Sequence, residues 1–148
     1  MTHALKITVS LVLLVAVSVL SGCGTMQAYP GEARSPDQVA IIKPGLKAGP
    51  RAEILSVDGR KLGSDEDKVE VLPGRHTISA RVIVSDGEHM TIITTPMELH
   101  LDAKAGHTYL LFGEASGGGW FSPPTEFGIW IQDKDSNTLV TRVGLDPQ

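Results

Sequence analysis

The sequence predicts an all-β fold, an antiparallel β-sandwich of about eight short strands within residues 39–148. From Val39 onward, runs of β-branched residues alternate with turn-forming residues. In the longest run, His76 to Val84, apolar positions recur every second residue, as in a half-buried strand. No stretch after residue 22 has the spacing of an amphipathic helix. We prefer a sandwich to a barrel because nothing in the sequence indicates the strand tilt of a closed barrel.

Each predicted strand follows from its local pattern. Ile78, Ala80, Val82 and Val84 share one face of the longest run. Met97, Leu99 and Leu101 alternate with polar residues in the same way, whereas the continuously apolar Tyr109–Phe112 predicts a strand buried on both faces. The runs that predict strands are Val39–Lys43, Ala52–Val57, Val69–Leu72, His76–Val84, Met90–Thr95, Met97–Asp102, His107–Phe112, Phe127–Gln132 and Thr138–Val143.

Turn signals separate these runs. Asp58-Gly59 is a hairpin signal, and Pro73-Gly74 fits a type II turn. Ser85–Glu88 and Asp133–Asn137 are polar turns. The Asp133 turn also matches the first ligand positions of a calcium loop, but Thr138 and Gly144 stand where that loop needs Gly and Glu, so we interpret it as a turn.

The beginning of the chain has the layout of a secretory signal peptide. Lys6 precedes an apolar run, Ile7 to Leu20, of 14 residues. A membrane-spanning helix needs about 20 residues, so we expect residues 1–22 to be removed rather than kept as a span. The run ends in Leu20-Ser21-Gly22-Cys23, which includes the only cysteine.

These four residues resemble the lipobox of bacterial lipoproteins. The resemblance implies cleavage between Gly22 and Cys23, a diacylglyceryl thioether on Cys23 and acylation of the new amino terminus with a fatty acid such as palmitate. Two or more acyl chains give stable membrane anchoring. Gly24, rather than Asp, follows the cysteine, which in the lipoproteins it resembles implies the outer membrane, facing the periplasm. An ordinary secreted protein with a free thiol is the alternative.

Residues 23–38 are expected to form a lipidated, flexible tether. The segment Gly24–Gln38 contains two prolines and two glycines and has no apolar periodicity. The alternative is a folded first element, in which Tyr29 docks on the domain.

Composition excludes some functions. Without residues 1–22, 12 basic and 17 acidic residues remain, a net charge of −5, which argues against nucleic acid as a partner. Lipidation of Cys23 leaves no cysteine for a disulfide, so the domain depends on its core alone.

A second resemblance concerns the globular part. The residues Ser56-Val57-Asp58-Gly59, followed by the stretch from Val69 to Ile78 with Pro73-Gly74 in it, are similar to a pattern in PEGA-like surface modules and small uncharacterised bacterial lipoproteins. The resemblance implies a β-sandwich fold but does not indicate any catalytic activity.

The longest segment between predicted strands, Gly113–Glu126, is the candidate partner-binding loop. Trp120 and Phe121 follow three glycines and precede two prolines. Exposed aromatic side chains on a loop could stack on a sugar or anchor a protein partner. The alternative is that both rings fold back and cap the core, since a small core needs aromatic area.

No catalytic motif or metal-ligand spacing is present. The histidines His76, His89, His100 and His107 form no H-x-H or H-x-x-x-H pair, so we predict no metal and no cofactor. The sequence has no G-x-S-x-G and no H-E-x-x-H. We therefore expect a membrane-anchored envelope lipoprotein whose domain is a non-catalytic binding or structural accessory module, with an envelope protein or polymer as its partner. The alternative is a small hydrolase acting on peptidoglycan or glycans.

Overall fold

The structure, a computed structural model, describes residues 24–119 and 122–145 and confirms the all-β prediction. These residues contain eleven strands and no helix. The strands are β1 (Thr25–Gln27), β2 (Ala40–Pro44), β3 (Arg51–Val57), β4 (Arg60–Lys61), β5 (Lys68–Val71), β6 (Gly74–Ser85), β7 (Thr91–Ile93), β8 (Met97–Ala103), β9 (Thr108–Ser116), β10 (Glu126–Asp133) and β11 (Thr138–Gly144).

The strands form two sheets that pack around one core. One sheet has six strands in the order β1-β5-β2-β9-β10-β11. The other has the order β4-β3-β6-β7, and β8 also pairs with β6. The long strand β6 organises the second sheet, because it pairs with β3 on one side and with β8 and β7 on the other.

The core lies between the sheets, and the predicted alternation determines which side chains enter it. Ile78, Ala80 and Val82 of β6 are fully buried, while Val84 is only partly buried. Leu99 and Leu101 of β8 are buried between exposed polar neighbours, as predicted. The six-stranded sheet contributes the fully buried Ile42, Val69, Val71, Leu111, Ile129 and Ile131.

The pairing is mixed rather than purely antiparallel. β1 lies parallel to β5, and β2 lies parallel to β9. Between β2 and β9 the chain crosses to the other sheet and returns twice, first as β5, which is antiparallel to β2, and then as β9, which is parallel to it.

The prediction that Tyr109–Phe112 is buried on both faces is wrong. Tyr109 and Leu111 are buried, but Leu110 and Phe112 are only partly buried, because no strand among the described residues packs as a third layer on the outer face of the six-stranded sheet. Phe112 instead stacks on Trp130 of the neighbouring strand, with ring centroids 4.3 Å apart.

The described residues 24–38 form an ordered first element rather than the flexible tether predicted for residues 23–38. β1 pairs with β5, and the buried Met26 joins the core. Tyr29 is only 4% exposed, and its hydroxyl accepts a hydrogen bond from the Arg34 amide at 3.1 Å. The docked-Tyr29 alternative is therefore confirmed. The segment forms a strand despite its linker-like composition, because the edge of β5 offers unpaired backbone groups to any neighbouring extended segment.

Candidate functional site

The site residues predicted from sequence, Gly22, Cys23, Trp120 and Phe121, lie outside the described residues. The structure does describe their neighbours: Gly24 on one side, and Gly119 and Ser122 on the other. The geometry of these neighbours therefore defines the candidate site.

Gly24 is fixed against the domain. Its carbonyl accepts hydrogen bonds from the amides of Asp67 and Lys68, at 3.3 and 3.2 Å. Its φ of +99° belongs to the left-handed region, which glycine adopts without strain. A single residue thus separates Cys23 from the six-stranded sheet.

The loop of residues 45–50 lies at the same end of the sheet. β2 ends at Pro44, and its neighbour β5 begins beside Thr25. Gly45 donates its amide hydrogen to the Leu111 carbonyl at 2.7 Å and lies close to the Phe112 ring. A Cβ at Gly45 would lie 2.2 Å from a ring carbon, so the close approach requires glycine.

Leu46 follows and is fully exposed at 101% of its reference area. It stands between two surface depressions of about 520 and 390 Å³, and both are also lined by Pro44 and Asp67. Because Asp67 also holds Gly24, the exposed leucine and Gly24 belong to one end of the molecule. We call this the Gly24 end; it comprises Gly24, the loop 45–50 and the loop 63–67.

The connection between β9 and β10 starts at the same end, because Gly113 of β9 already lies against the backbone of Arg51. The predicted loop Gly113–Glu126 is shorter than expected: β9 runs to Ser116, and the connection is residues 117–125. Gly119 and Ser122 exchange two backbone hydrogen bonds of 3.3 and 3.0 Å.

Two glycines of this connection, Gly117 and Gly118, allow close packing. A Cβ at Gly118 would lie 2.4 Å from the Pro123 carbonyl, and one at Gly117 would lie 2.2 Å from the Thr125 hydroxyl. Both have φ near +80°, which glycine tolerates best. Whether Trp120 and Phe121 bind a partner or cap the core stays a prediction.

The opposite end of the molecule, which we call the far end, comprises the turns 58–59, 104–107 and 133–137. There the structure brings together a histidine and two aspartates that sequence reasoning kept apart. The His107 Nδ1 lies 2.8 Å from the Asp133 Oδ2, and with Asp135 these side chains offer three ligand atoms within 4.8 Å of one another. The arrangement could hold a cation, yet both carboxylate oxygens of Asp133 and the Oδ2 of Asp135 already have hydrogen-bond partners.

Those partners are mostly backbone amides of the turn. Asp133 Oδ1 accepts from the Asp135 amide at 2.9 Å, and Asp135 Oδ2 accepts from the Thr108 amide at 2.8 Å. Burial raises the pKa of Asp133, but the bonds from His107 and the turn amides outweigh it and hold that pKa below its ordinary value. The predicted polar turn is confirmed, and its aspartates stabilise the hairpin.

A second histidine–aspartate pair closes the β3–β4 turn. Asp58 has φ of +50°, and its carboxylate accepts from the Thr77 amide at 2.9 Å and contacts His76 Nδ1 at 2.6 Å. The other ring nitrogen of His76 faces the Leu72 carbonyl at 2.7 Å. Burial raises the pKa of Asp58, but the hydrogen bonds from His76 and Thr77 lower it by more, so the pKa lies below its ordinary value.

Sequence reasoning missed both pairs, because each joins residues from different strands. The only sequence signal for the exposed Leu46 is a single leucine beside Lys47, between the turn-forming pairs Pro44-Gly45 and Gly49-Pro50. Comparison with protein-family models, with curated proteins and with solved structures found no significant match. Within residues 24–119 and 122–145, no helix is long and apolar enough to cross a membrane.

Proposed function

We propose that the protein is a lipoprotein of the bacterial cell envelope, anchored by lipid in the outer membrane and facing the periplasm, with a non-catalytic binding or structural domain. The observation that supports it is the position of the first strand. β1 begins two residues after Cys23, and the first backbone hydrogen bonds involve Gly24. Cleavage after Gly22 would therefore leave every described strand intact.

The arrangement of titratable groups supports a non-catalytic domain. The four ion pairs within the described residues join His76 to Asp58, Arg81 to Glu53, His107 to Asp133 and Arg142 to Glu114. Both histidine pairs lie at the far end, remote from the larger depression. The polar atoms of both pairs are engaged in hydrogen bonds at turns, so neither histidine is placed to act as a general base at that depression.

The lipid attachment is tested by metabolic labelling with a clickable palmitate analogue. The wild-type protein should take up the label and sediment with membranes, because acyl chains hold it there. Cys23→Ala should take up none, since the chain has no second cysteine. Ala105→Ser, an exposed change at the far end, is the matched control and should label as the wild type does. A wild-type protein without label contradicts the proposal.

The binding role is tested by mild crosslinking in intact cells, followed by isolation of the protein. An envelope protein or polymer should co-isolate with the wild type. Loss of that partner in Trp120→Ala, with unchanged stability, would assign it to the loop. Release of fragments from peptidoglycan by the purified protein would instead favour the hydrolase.

A further inference from the structure

The ordered segment after Cys23 fixes where a lipid anchor must enter the domain. Consecutive Cα atoms lie 3.8 Å apart, so Cys23 can be no farther than that from the Cα of Gly24. Gly24 is itself bonded to the loop 63–67. An acyl chain on Cys23 would thus hold the Gly24 end at the bilayer surface, and no long tether would let the domain turn away.

Among the described residues of this end, the most exposed large apolar side chain is Leu46. It is fully exposed although its neighbour Gly45 is tightly packed on Phe112, so a rigid base presents the leucine to its surroundings. The segment from Lys43 to Arg51 contains three cationic and no acidic side chains. A leucine tip flanked by lysines suits the boundary between lipid headgroups and acyl chains, where the apolar group enters and the ammonium groups stay in water.

Charge alone does not attract this end to an anionic membrane. Apart from Lys134, whose turn belongs to the far end, three cationic and three acidic side chains line the two depressions beside Leu46: Lys43, Lys47, Arg51, Glu53, Glu66 and Asp67. The near balance means that burial of the apolar tip, rather than attraction to anionic lipid, would provide the contact. The contact should therefore depend little on salt or on the fraction of anionic lipid.

We propose that the Gly24 end docks on the lipid bilayer, with Leu46 inserted among the headgroups, so that the domain has a fixed orientation. The proposal rests on the lipid attachment at Cys23 proposed above. It implies that the far end, with the turns 58–59, 104–107 and 133–137, points away from the membrane, where a soluble partner would reach it.

The test uses the mature lipidated protein, which begins at Cys23, reconstituted in vesicles of phosphatidylethanolamine and phosphatidylglycerol. A Leu46→Cys variant carries an environment-sensitive fluorophore on the new thiol, because the thioether makes Cys23 unreactive. Ala105→Cys, also exposed but at the far end, is the matched control. The label at position 46 should emit further to the blue and be quenched several-fold more by nitroxide lipids than the label at position 105.

The outcomes separate the two proposals. Equal quenching at positions 46 and 105 in protein that floats with the vesicles overturns the docking and leaves the anchor intact. Protein that fails to float, with a reactive thiol at Cys23, overturns both. Quenching at position 46 that disappears in 1 M salt contradicts insertion of the apolar tip. Both labelled sites are exposed, so neither change should disturb folding.

Discussion

Removal of the Tyr29 ring tests whether the residues after Cys23 belong to the domain. The side chain is 4% exposed and lies outside the main core cluster. Large aromatic-to-alanine changes in cores cost about 3–5 kcal/mol, and an edge position favours the lower limit, so we expect Tyr29→Ala to lower the free energy of unfolding by about 3 kcal/mol. Urea denaturation of the mature protein, followed by circular dichroism, measures this change.

Two further variants separate the contribution of the Tyr29 ring to stability from that of its hydroxyl and from that of an exposed neighbour. Tyr29→Phe keeps the ring and loses only the hydroxyl that accepts from the Arg34 amide, so it should cost about 0.5–1.5 kcal/mol. Glu32→Ala, an exposed change in the same segment, should stay within about 0.5 kcal/mol of the wild type. A Tyr29→Ala protein as stable as the Glu32→Ala protein would refute the docked segment and restore the flexible tether.

Two other predictions follow from the packing. Gly45→Ala should destabilise the domain by about 1–3 kcal/mol in urea denaturation, because the new Cβ would meet the Phe112 ring. Gly119→Ala is the control and should cost less, since no described atom lies within 4 Å of the Cβ it would add. Equal losses of stability in the two variants would contradict the close approach of Gly45 to Phe112. The pKa of Asp133 is lower in the folded protein than its ordinary value of 3.8. The stability that Asp133 contributes is therefore complete above pH 3.8 and is lost as the pH falls through the folded pKa, so Asp133→Asn should reduce the loss of stability between about pH 5 and pH 2. An unchanged pH profile would contradict the bond to His107.

Local sequence patterns predict most of the strands. The alternation from His76 to Val84 predicted a half-buried strand, because side chains on a strand point to opposite faces. Pairing between distant strands leaves no such trace, which is why the parallel β2–β9 pair was not predicted. β1 was missed because three residues are too short to show a period, and its partner β5 lies about 40 residues away.

The candidate site was predictable only where the signal is local. The lipobox residues are consecutive, so the sequence alone suggests the anchor at Cys23. The exposure of Leu46 depends on how Gly45 packs against a strand more than 60 residues later, and the His107–Asp133 pair depends on the register of β9 with β10. Such contacts require the three-dimensional arrangement of the sheets.

Mass spectrometry of the amino-terminal peptide tests the central claim most directly. Trypsin should release residues 23–34 as one peptide, because no lysine or arginine precedes Arg34 in that segment. The account predicts a peptide that begins at Cys23 and carries a diacylglyceryl group and a further acyl chain. A peptide from the cellular protein that continues upstream of Cys23, or one with a free thiol at Cys23, would contradict it.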